Sequence, residues 1–320
     1  MSIESSESTA RAAAPLRVEA TTVRRILTRT GGYLDGVASH SLQPYRGCPL
    51  GRSLCGVGCY VQHNPWVTRG RRWGTFLEAR ANAAESYRAT AAAERRWAHR
   101  RGMPFAIFMA SSSEPFPPQE RRYGVSAAVL AAMAEVPADA RPDALIVQTH
   151  SPRVVDHVDR LRALADGGTR VRVHVSIEAD RDALPGLPPA ASPWRARLNA
   201  AARCRAAGLF TVVTVAPLLP IRDPDVFFAA IADAADAVVL DHFVEGDGSR
   251  DGGRTRRTAL PDAIARVDPA AVDMGYRARM ATIAARHLPG RVGVGAAGFA
   301  GRYAYDPTAV GSKDPIGEGS

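Results

Sequence analysis

Three of the four cysteines in this 320-residue chain stand within twelve residues of one another, at Cys48, Cys55 and Cys59. Clustered cysteines in a chain that shows no secretion signal indicate a metal site rather than disulfide bonds. With His63 they give the spacing C-x6-C-x3-C-x3-H, whose four side chains suit a closed, tetrahedral zinc site. Three thiolates alone would instead hold a 4Fe–4S cluster and leave one iron open. The local spacing is compatible with either metal.

The rest of the sequence alternates short apolar runs with amphipathic stretches. Because short apolar strands are separated by helices, we expect a parallel sheet covered on both faces. None of the predicted strands is followed by a G-x-G-x-x-G loop, which disfavours a dinucleotide-binding fold. The sequence therefore predicts an α/β protein, a full or partial β/α barrel with the cysteine loop near its N-terminus, and irregular structure from residue 290 onward. Strands are predicted at 104–110, 144–148, 171–177, 210–216 and 237–240, and helices at 75–100, 121–135, 152–165, 194–207, 224–235 and 270–287.

Polar residues stand at the carboxyl ends of these strands. In β/α barrels the carboxyl ends meet at one mouth, where the chemistry lies. Any one of these residues could be an ordinary helix cap, but their recurrence favours a site at the barrel mouth. The strand ends read Ser111–Ser112–Ser113–Glu114, Thr149–His150, Ser176–Ile177–Glu178, Ala216–Pro217 and Asp241–His242.

A barrel behind the cysteine loop favours iron over zinc. An open iron needs a scaffold that brings a substrate to it, whereas a structural zinc site does not. Such an iron can chelate the amino and carboxylate groups of S-adenosylmethionine and pass one electron to the sulfonium. The 5′-deoxyadenosyl radical released by this cleavage needs a dry, enclosed cavity, because it would attack any nearby C–H bond.

Several spaced motifs resemble the radical S-adenosylmethionine enzymes of the spore photoproduct lyase type, over roughly residues 41–245. The order and spacing of the motifs make a chance match improbable. The matches are the cluster-loop entry P-Y-R-G-C at 44–48, the closing pair C-Y at 59–60, the strand and loop FMASSSEPFPP at 108–118 with Glu120, the pair S-I at 176–177, and the run S-P at 192–193, R-L at 197–198, A-G at 207–208 and V-A-P-L-L-P at 215–220.

The resemblance implies an α/β fold, a partial (β/α)6 TIM-type barrel with an iron–sulfur cluster loop near the N-terminus. It implies that Cys48, Cys55 and Cys59 hold a 4Fe–4S cluster and that S-adenosyl-L-methionine is the second cofactor. It implies reductive cleavage of that cofactor, hydrogen abstraction from an unknown substrate, and an electron donor such as a flavodoxin or ferredoxin. Glu114 is expected to bind the methionyl ammonium, and Arg197 the carboxylate as a two-pronged donor. The residues implied to contact the cofactor are Tyr60, Ser111, Ser112, Ser113, Glu114, His150, Ser176, Arg197 and Ala216.

The chain departs from the family's pattern in three places. Its cluster spacing is C-x6-C-x3-C rather than C-x3-C-x2-C, an insertion that a loop can absorb at low cost. The hydrogen-donating cysteine of the DNA-repairing members is absent from 110–113, so we expect no repair of spore photoproduct. His150 replaces a lysine of the third strand, which makes its charge pH-dependent. The remaining thiol, Cys204, is expected to be buried and dispensable.

The net charge of +9 comes almost entirely from arginine, because Lys313 is the only lysine. Arginine clusters at 69–72 and 254–257 favour an anionic, nucleotide-like substrate. Nucleic acid has weaker support as a partner, because the arginine content also follows from a GC-rich genome. Two other classes stay open: a nucleic-acid-binding protein with a Cys3His zinc site, and a barrel hydrolase or aldolase that ignores the cysteines. The hydrolase ranks last, since no Ser/His/Asp set emerges.

The organisation of the chain follows from the same patterns. Residues 1–40 are expected to form an N-terminal tail and lead-in segment, 41–245 the radical S-adenosylmethionine barrel, and 246–320 a C-terminal extension. No run approaches about 18 apolar residues, and the N-terminal sequence has no apolar signal region. We therefore expect a cytoplasmic protein with no membrane partner.

Overall fold

The computed structural model describes residues 14–306; residues 1–13 of the predicted N-terminal segment and residues 307–320 of the extension lie outside this range. Between residues 14 and 306, no helix combines the length and the apolar character that crossing a membrane requires. The strands are β1 (Arg17–Thr21), β2 (Leu27–Arg29), β3 (His40–Leu42), β4 (Tyr45–Gly47), β5 (Phe76–Arg80), β6 (Ala106–Met109), β7 (Ala144–Thr149), β8 (Arg170–Ser176), β9 (Phe210–Val215), β10 (Ala237–Leu240) and β11 (Val292–Val294).

Helices cover the sheet and also form the loops at its carboxyl edge. Short 3-10 helices occupy Gly32–Leu34, Pro49–Arg52, Tyr60–His63, Pro152–His157, Thr255–Arg257 and Pro269–Val272. The α-helices are α1 (Leu54–Gly58), α2 (Pro65–Thr68), α3 (Ala83–His99), α4 (Glu120–Tyr123), α5 (Val125–Glu135), α6 (Val158–Asp166), α7 (Trp194–Ala206), α8 (Pro224–Ala234), α9 (Phe243–Gly246), α10 (Leu260–Ala265), α11 (Met274–His287) and α12 (Gly295–Phe299).

The main sheet is a partial β/α barrel, as predicted. Its strand order is β11-β10-β9-β8-β7-β6-β3-β2, and every pair from β3 to β11 is parallel. The six strands β3 and β6 to β10 alternate with helices, which gives the (β/α)6 arrangement. Only β2 runs antiparallel, along β3. The six carboxyl ends therefore meet at one mouth, where the polar strand ends lie together.

The two faces of the sheet bury different sets of apolar residues. Val173 and Val175 of β8 point outward into the large core beneath the helices. Phe108, Ile146 and Val212 point into the barrel, where they pack with Phe299 of α12. Since strand side chains alternate between faces, continuous apolar strands are the pattern of a sheet buried on both sides. The C-terminal extension thus supplies part of the barrel interior.

A smaller sheet of order β1-β5-β4 carries the cysteine loop. The predicted helix 75–100 is wrong at its start, because Phe76–Arg80 is the central strand of this sheet and α3 begins only at Ala83. β5 is bonded to a strand on each side, and its Glu78 is buried against Arg46 and Arg71. Tertiary pairing therefore overrides a composition that favours helix.

The predicted irregular structure after residue 290 is also wrong in part. β11 adds a seventh parallel strand, and the run 293–298, G-V-G-A-A-G, follows it into α12. A Cβ at Gly298 would lie 2.7 Å from Gly293 C and 2.9 Å from Val239 Cγ1. These glycines let α12 approach the sheet closely. Because α12 has five residues and is packed against β10 and β11, the motif serves packing here.

Candidate active site

The mouth of the barrel and the cysteine loop enclose one cavity of about 240 Å³. Strand ends from β6 to β10 form its floor, and the cysteine loop forms one wall. Apolar side chains, among them Phe108, Phe243 and Phe299, cover much of the remaining surface. The sequence-predicted site residues that line it are Cys48, Cys55, Cys59, Tyr60, Ser111, Ser112, Ser113, Glu114, His150 and Ala216.

Tight backbone packing shapes the cysteine loop. Cys48 follows β4 directly, Cys55 lies in α1, and Cys59 ends that helix. Between the first two cysteines, Pro49–Arg52 form a 3-10 helix and Leu54 begins α1, so the longer spacing is absorbed in a helical turn. A Cβ at Gly56 would collide with the backbone of Leu50 and Gly51. Only glycine allows the loop to fold back on itself at this point.

The three thiols share one electrostatic environment. Burial raises the pKa of Cys48 well above its usual value, and the neighbouring Cys55 and Cys59 raise it further. Burial, and then Cys55, raise the pKa of Cys59 to about 12. In the protein alone Cys48 and Cys59 are therefore protonated at neutral pH. A bound cationic centre would convert them to thiolates, as metals do to coordinating thiols.

The thiols do not converge on a point that suits a single ion. Among residues 14–306, no three His, Cys, Asp or Glu side chains form such a ligand set, and this includes the three cysteines with His63. A single Zn²⁺ needs every ligand within about 2.3 Å of one centre. A 4Fe–4S cluster places each thiolate on a different iron and so needs thiols spread around a wider cavity. Three thiols on the wall of one cavity are the type of donor that such a cluster requires.

His150 connects the cysteine loop to the fourth barrel strand. Its Nε2 lies 3.4 Å from Cys55 Sγ and 2.9 Å from Glu178 Oε1. Burial acts to lower the pKa of His150, but Cys55 and Glu178 together raise it well above the usual value. Burial acts to raise the pKa of Glu178, but Arg197 and His150 together lower it. The two shifts both favour a protonated imidazole paired with an ionised carboxylate.

Two of the sequence-predicted residues lie behind the cavity wall instead of on it. Arg197 is 3% exposed, and its Nη1 donates to Glu178 Oε2 at 2.8 Å and to the Ser176 carbonyl at 2.6 Å. The hydroxyl of Ser176 contacts Gln148, a lining residue, at 3.3 Å. In this structure Arg197 holds Glu178, and Ser176 supports the side chain of Gln148.

Glu114 is a buried carboxylate with most of its acceptor sites in use. It accepts hydrogen bonds from the Thr149 hydroxyl, from His150 N at 2.9 Å and from Phe116 N at 3.0 Å. Burial raises its pKa, although these donors and the charge of His150 act against the rise. The bonds fix the carboxylate across the ends of β6 and β7.

Gln43, which follows β3, organises the serine loop and was not predicted. Its Nε2 donates to Ser111 Oγ at 2.8 Å, and its Oε1 accepts from Ser112 N at 3.2 Å. Its position just before the P-Y-R-G-C entry was the one available sequence signal. The amide therefore ties the serine loop to the first barrel strand and to the start of the cysteine loop.

A second polar group at the mouth combines distant parts of the chain. Tyr33 donates to Asp241 Oδ2 at 2.7 Å, and Arg277 Nη1 lies 3.6 Å from Asp241 Oδ1. Burial raises the pKa of Asp241 to about 6, although Tyr33 and Arg277 counteract it. The neighbouring His242 is held by backbone, because Val244 N donates to its Nδ1 and its Nε2 lies 3.1 Å from the Ala271 carbonyl. Asp241 was predicted as a strand-end residue, but no local sequence pattern points to Tyr33 or Arg277.

Comparison with solved structures supports the fold. No family model and no curated protein matches the sequence. Among solved structures, a mutant spore photoproduct lyase with bound AdoMet and dinucleoside spore photoproduct superposes with a TM-score of 0.57 at 17% identity, over 87% of this chain and 81% of that one. The chain has the fold of spore photoproduct lyase. A second structure, spore photoproduct lyase complexed with dinucleoside spore photoproduct, gives a TM-score of 0.56 with the same identity and coverage.

The resemblance predicted from the motifs is therefore confirmed at the level of the fold. The match extends over 87% of this chain. Cys204 lies on the buried face of α7 and is fully buried, as predicted, and burial raises its pKa to about 11. It lies in the apolar core beneath the helices and does not line the cavity.

Proposed function

We propose that this protein is a radical S-adenosylmethionine enzyme that acts on an anionic, nucleotide-like small molecule. The observation that carries the proposal is the placement of three thiols on the wall of one cavity at the carboxyl ends of a partial barrel. The fold shared with spore photoproduct lyase supports it, because a solved structure of that protein contains AdoMet.

The residues present fit both cofactors. Cys48, Cys55 and Cys59 would hold a 4Fe–4S cluster, and the serine loop with Tyr60 and Ala216 would surround S-adenosylmethionine. When bound, the reduced cluster would supply the electron that cleaves S-adenosylmethionine to methionine and a 5′-deoxyadenosyl radical, which takes hydrogen from the substrate.

Glu114 is suited to bind the methionyl ammonium. A carboxylate has about four acceptor positions, and three are occupied by Thr149, His150 and Phe116. The remaining position can accept a bond from a cationic donor in the cavity, and that cation would favour the ionised carboxylate. Gln43 keeps the adjoining serines in place while this happens.

The cavity also restricts what can happen to a reactive intermediate. The aromatic side chains Phe108, Phe243 and Phe299 limit the entry of water. The strand end at Ala110–Ser113 offers no thiol, and the remaining cysteine is in the core. We therefore propose that the reaction ends without a thiol donor from this strand and that spore photoproduct is not its substrate.

Anaerobic reconstitution tests the proposal. We expect about four irons and four sulfides per chain, absorbance at about 400 nm, and formation of 5′-deoxyadenosine from S-adenosylmethionine with dithionite. Cys48→Ala, Cys55→Ala and Cys59→Ala should each abolish all three signals. Cys204→Ala is the matched control and should keep them, at a cost of about 1 kcal/mol in stability.

Three results would count against the proposal. One tightly bound zinc in place of iron would assign the cysteines to a structural site. A fully loaded 4Fe–4S cluster without formation of 5′-deoxyadenosine would contradict the proposed enzymatic activity. Efficient conversion of the lesion in DNA to thymines would contradict the proposal that spore photoproduct is not the substrate. Candidate nucleotides are to be screened separately, by the turnover that each one supports.

A further inference from the structure

One acidic group on the cavity wall is not used by the proposed cofactors or by the surrounding loops. Between residues 14 and 306, the carboxylates that line the cavity are Glu114, Glu178, Asp241 and Asp247. Glu178 is held in ion pairs, and Asp247 accepts three hydrogen bonds from its own loop. Glu114 is the carboxylate proposed above for the methionyl ammonium. Asp241 is therefore the acidic group that a substrate can use.

Asp241 and Tyr33 together present hydrogen-bond acceptors to the cavity. Asp241 Oδ2 accepts from the Tyr33 hydroxyl at 2.7 Å, and Asp241 Oδ1 accepts from His242 N at 3.0 Å. An ionised carboxylate has about four acceptor positions, so these two bonds leave about half of them open. Because the Tyr33 hydroxyl donates its one hydrogen to Asp241, its oxygen is a further acceptor on the same wall. We call Tyr33 and Asp241 the acceptor pair.

The charges around the acceptor pair favour an uncharged donor. Arg277 Nη1 lies 3.6 Å from Asp241 Oδ1, so it balances the carboxylate charge from beyond hydrogen-bond distance. A full ammonium ion would meet the charge of Arg277, whereas a neutral N–H group would not. No Lys or Arg lines the cavity between residues 14 and 306, and His150 is already paired with Glu178. A phosphate group therefore has no counter-charge inside and is better placed towards the mouth.

Aromatic rings surround the acceptor pair and favour a planar occupant. The rings of Tyr33 and Phe108 both contact that of Phe299, with centroids 6.1 and 6.3 Å apart. These three rings and Phe243 all line the cavity. Aromatic side chains bind flat unsaturated rings by stacked and edge-to-face contacts. The surroundings thus suit a heterocyclic ring with an N–H donor at its edge.

From this arrangement we infer that the acceptor pair binds the exocyclic amino group of a nucleobase-type ring. It would select cytosine or adenine nucleotides over nucleotides that carry a carbonyl at the same ring position. A carbonyl oxygen placed there would face two acceptors with no hydrogen between them, and buried acceptors left unpaired are costly. The inference rests on the proposed function, because it names the part of the nucleotide-like substrate that enters the cavity. Thymine has no exocyclic amino group, which agrees with the proposal that spore photoproduct is not the substrate.

The experiment uses the reconstituted holoenzyme, unreduced and saturated with S-adenosylmethionine. It is carried out at about pH 7.5, where Asp241 is ionised because its pKa is raised only to about 6. Calorimetric titration compares cytidine with uridine 5′-monophosphate, and adenosine with inosine 5′-monophosphate. Within each pair of probes a carbonyl replaces the amino group.

Asp241→Asn is the test variant, because its amide offers a donor as well as an acceptor. The matched control is Asp262→Asn, since Asp262 is exposed in α10 and does not line the cavity. Tyr33→Phe is a second test variant that removes one acceptor and keeps the aromatic ring. Absorbance at about 400 nm checks that every variant carries its cluster.

We expect the wild type to bind the amino member of at least one pair about 10- to 100-fold more tightly than its carbonyl partner. Asp241→Asn should lower this ratio to about one or invert it, and Tyr33→Phe should lower it less. The ratio in Asp262→Asn should equal that of the wild type.

Several results would overturn the inference while leaving the cleavage of S-adenosylmethionine intact. These are a wild type that binds both members of each pair equally, prefers the carbonyl member or binds no nucleotide, and a preference that persists in Asp241→Asn. Weaker binding of S-adenosylmethionine to Asp241→Asn with an unchanged nucleotide ratio would assign the acceptor pair to the cofactor's adenine. Binding of n-butylamine in place of the nucleotides would assign it to an ammonium ion. Failure of dithionite to produce 5′-deoxyadenosine in the loaded wild type would instead defeat the proposed function.

Discussion

The carboxylate of Asp241 should make the stability of this protein fall as the pH rises through the range just below neutrality. It is 4% exposed, and burial raises its pKa from 3.8 to about 6, although Tyr33 and Arg277 counteract part of the rise. The folded state therefore holds a proton that the unfolded state has released. The raised pKa of this acid means that its ionisation destabilises the folded state. The destabilisation is absent below about pH 4, grows up to about pH 6, and is complete above it.

The size of the effect follows from the shift. Roughly two pKa units correspond to about 3 kcal/mol at high pH, and about 1.4 kcal/mol of this develops between pH 5 and 7.5. Asp241→Asn keeps an acceptor for the Tyr33 hydroxyl but cannot ionise. We expect the free energy of unfolding of the wild type, measured by urea titration, to fall by about 1.4 kcal/mol relative to this variant over that interval.

A second variant checks the cause. Tyr33→Phe removes a hydrogen bond that lowers the pKa of Asp241. The loss of stability with rising pH should therefore occur at a higher pH in this variant than in the wild type. A difference between wild type and Asp241→Asn that stays constant with pH, or that changes in the opposite direction, would refute the reasoning. Either result would mean that Asp241 is solvated or paired more strongly than the structure indicates.

Three further predictions concern packing and buried charge. Gly56→Ala should fail to retain iron on reconstitution, because the added Cβ would collide with Leu50, while its circular dichroism spectrum should remain that of the folded barrel. The control Gly31→Ala has open space around its Cβ and should retain iron. Arg197→Met leaves Glu178 buried without its guanidinium partner and should cost about 3 kcal/mol in urea unfolding; an unchanged midpoint would contradict this. Within residues 14–306 neither ring nitrogen of His174 has a hydrogen-bond partner, and burial lowers its pKa to about 3. The stability of His174→Leu should therefore rise by about 2 kcal/mol relative to the wild type as the pH falls from 7.5 to 5, which urea unfolding at the two pH values would measure.

The sequence predicted the central barrel strands because their signal is local. Runs such as FTVVTVA are apolar at almost every position, which only a sheet buried on both faces requires. The short strand His40–Leu42 has no such run, and it was not predicted. Phe76–Arg80 reads as the start of a helix, because its glutamate is buried only through arginines that lie elsewhere in the chain.

The site residues were likewise predicted where their signal is local and missed where it depends on distant parts of the chain. The cysteines and the strand-end residues belong to contiguous motifs, and most of them line the cavity. Arg197 also belongs to a motif, but the motif does not say which way its guanidinium points, and it reaches Glu178 rather than the cavity. Tyr33 and Asp241 are 208 positions apart, so their hydrogen bond has no signature in either local sequence.

These long-range contacts bear on how the chain is divided. The motif-bearing segment 41–245 does not complete its own interior, because Phe299 of the extension packs against Phe108 inside the barrel with ring centroids 6.3 Å apart. From the lead-in segment, Tyr33 meets the same Phe299 at 6.1 Å and bonds Asp241. Without these two rings, a buried carboxylate and an apolar barrel interior would face water. The lead-in and the extension are therefore part of the structure that closes the cavity, and the chemistry proposed for the motifs depends on residues outside them.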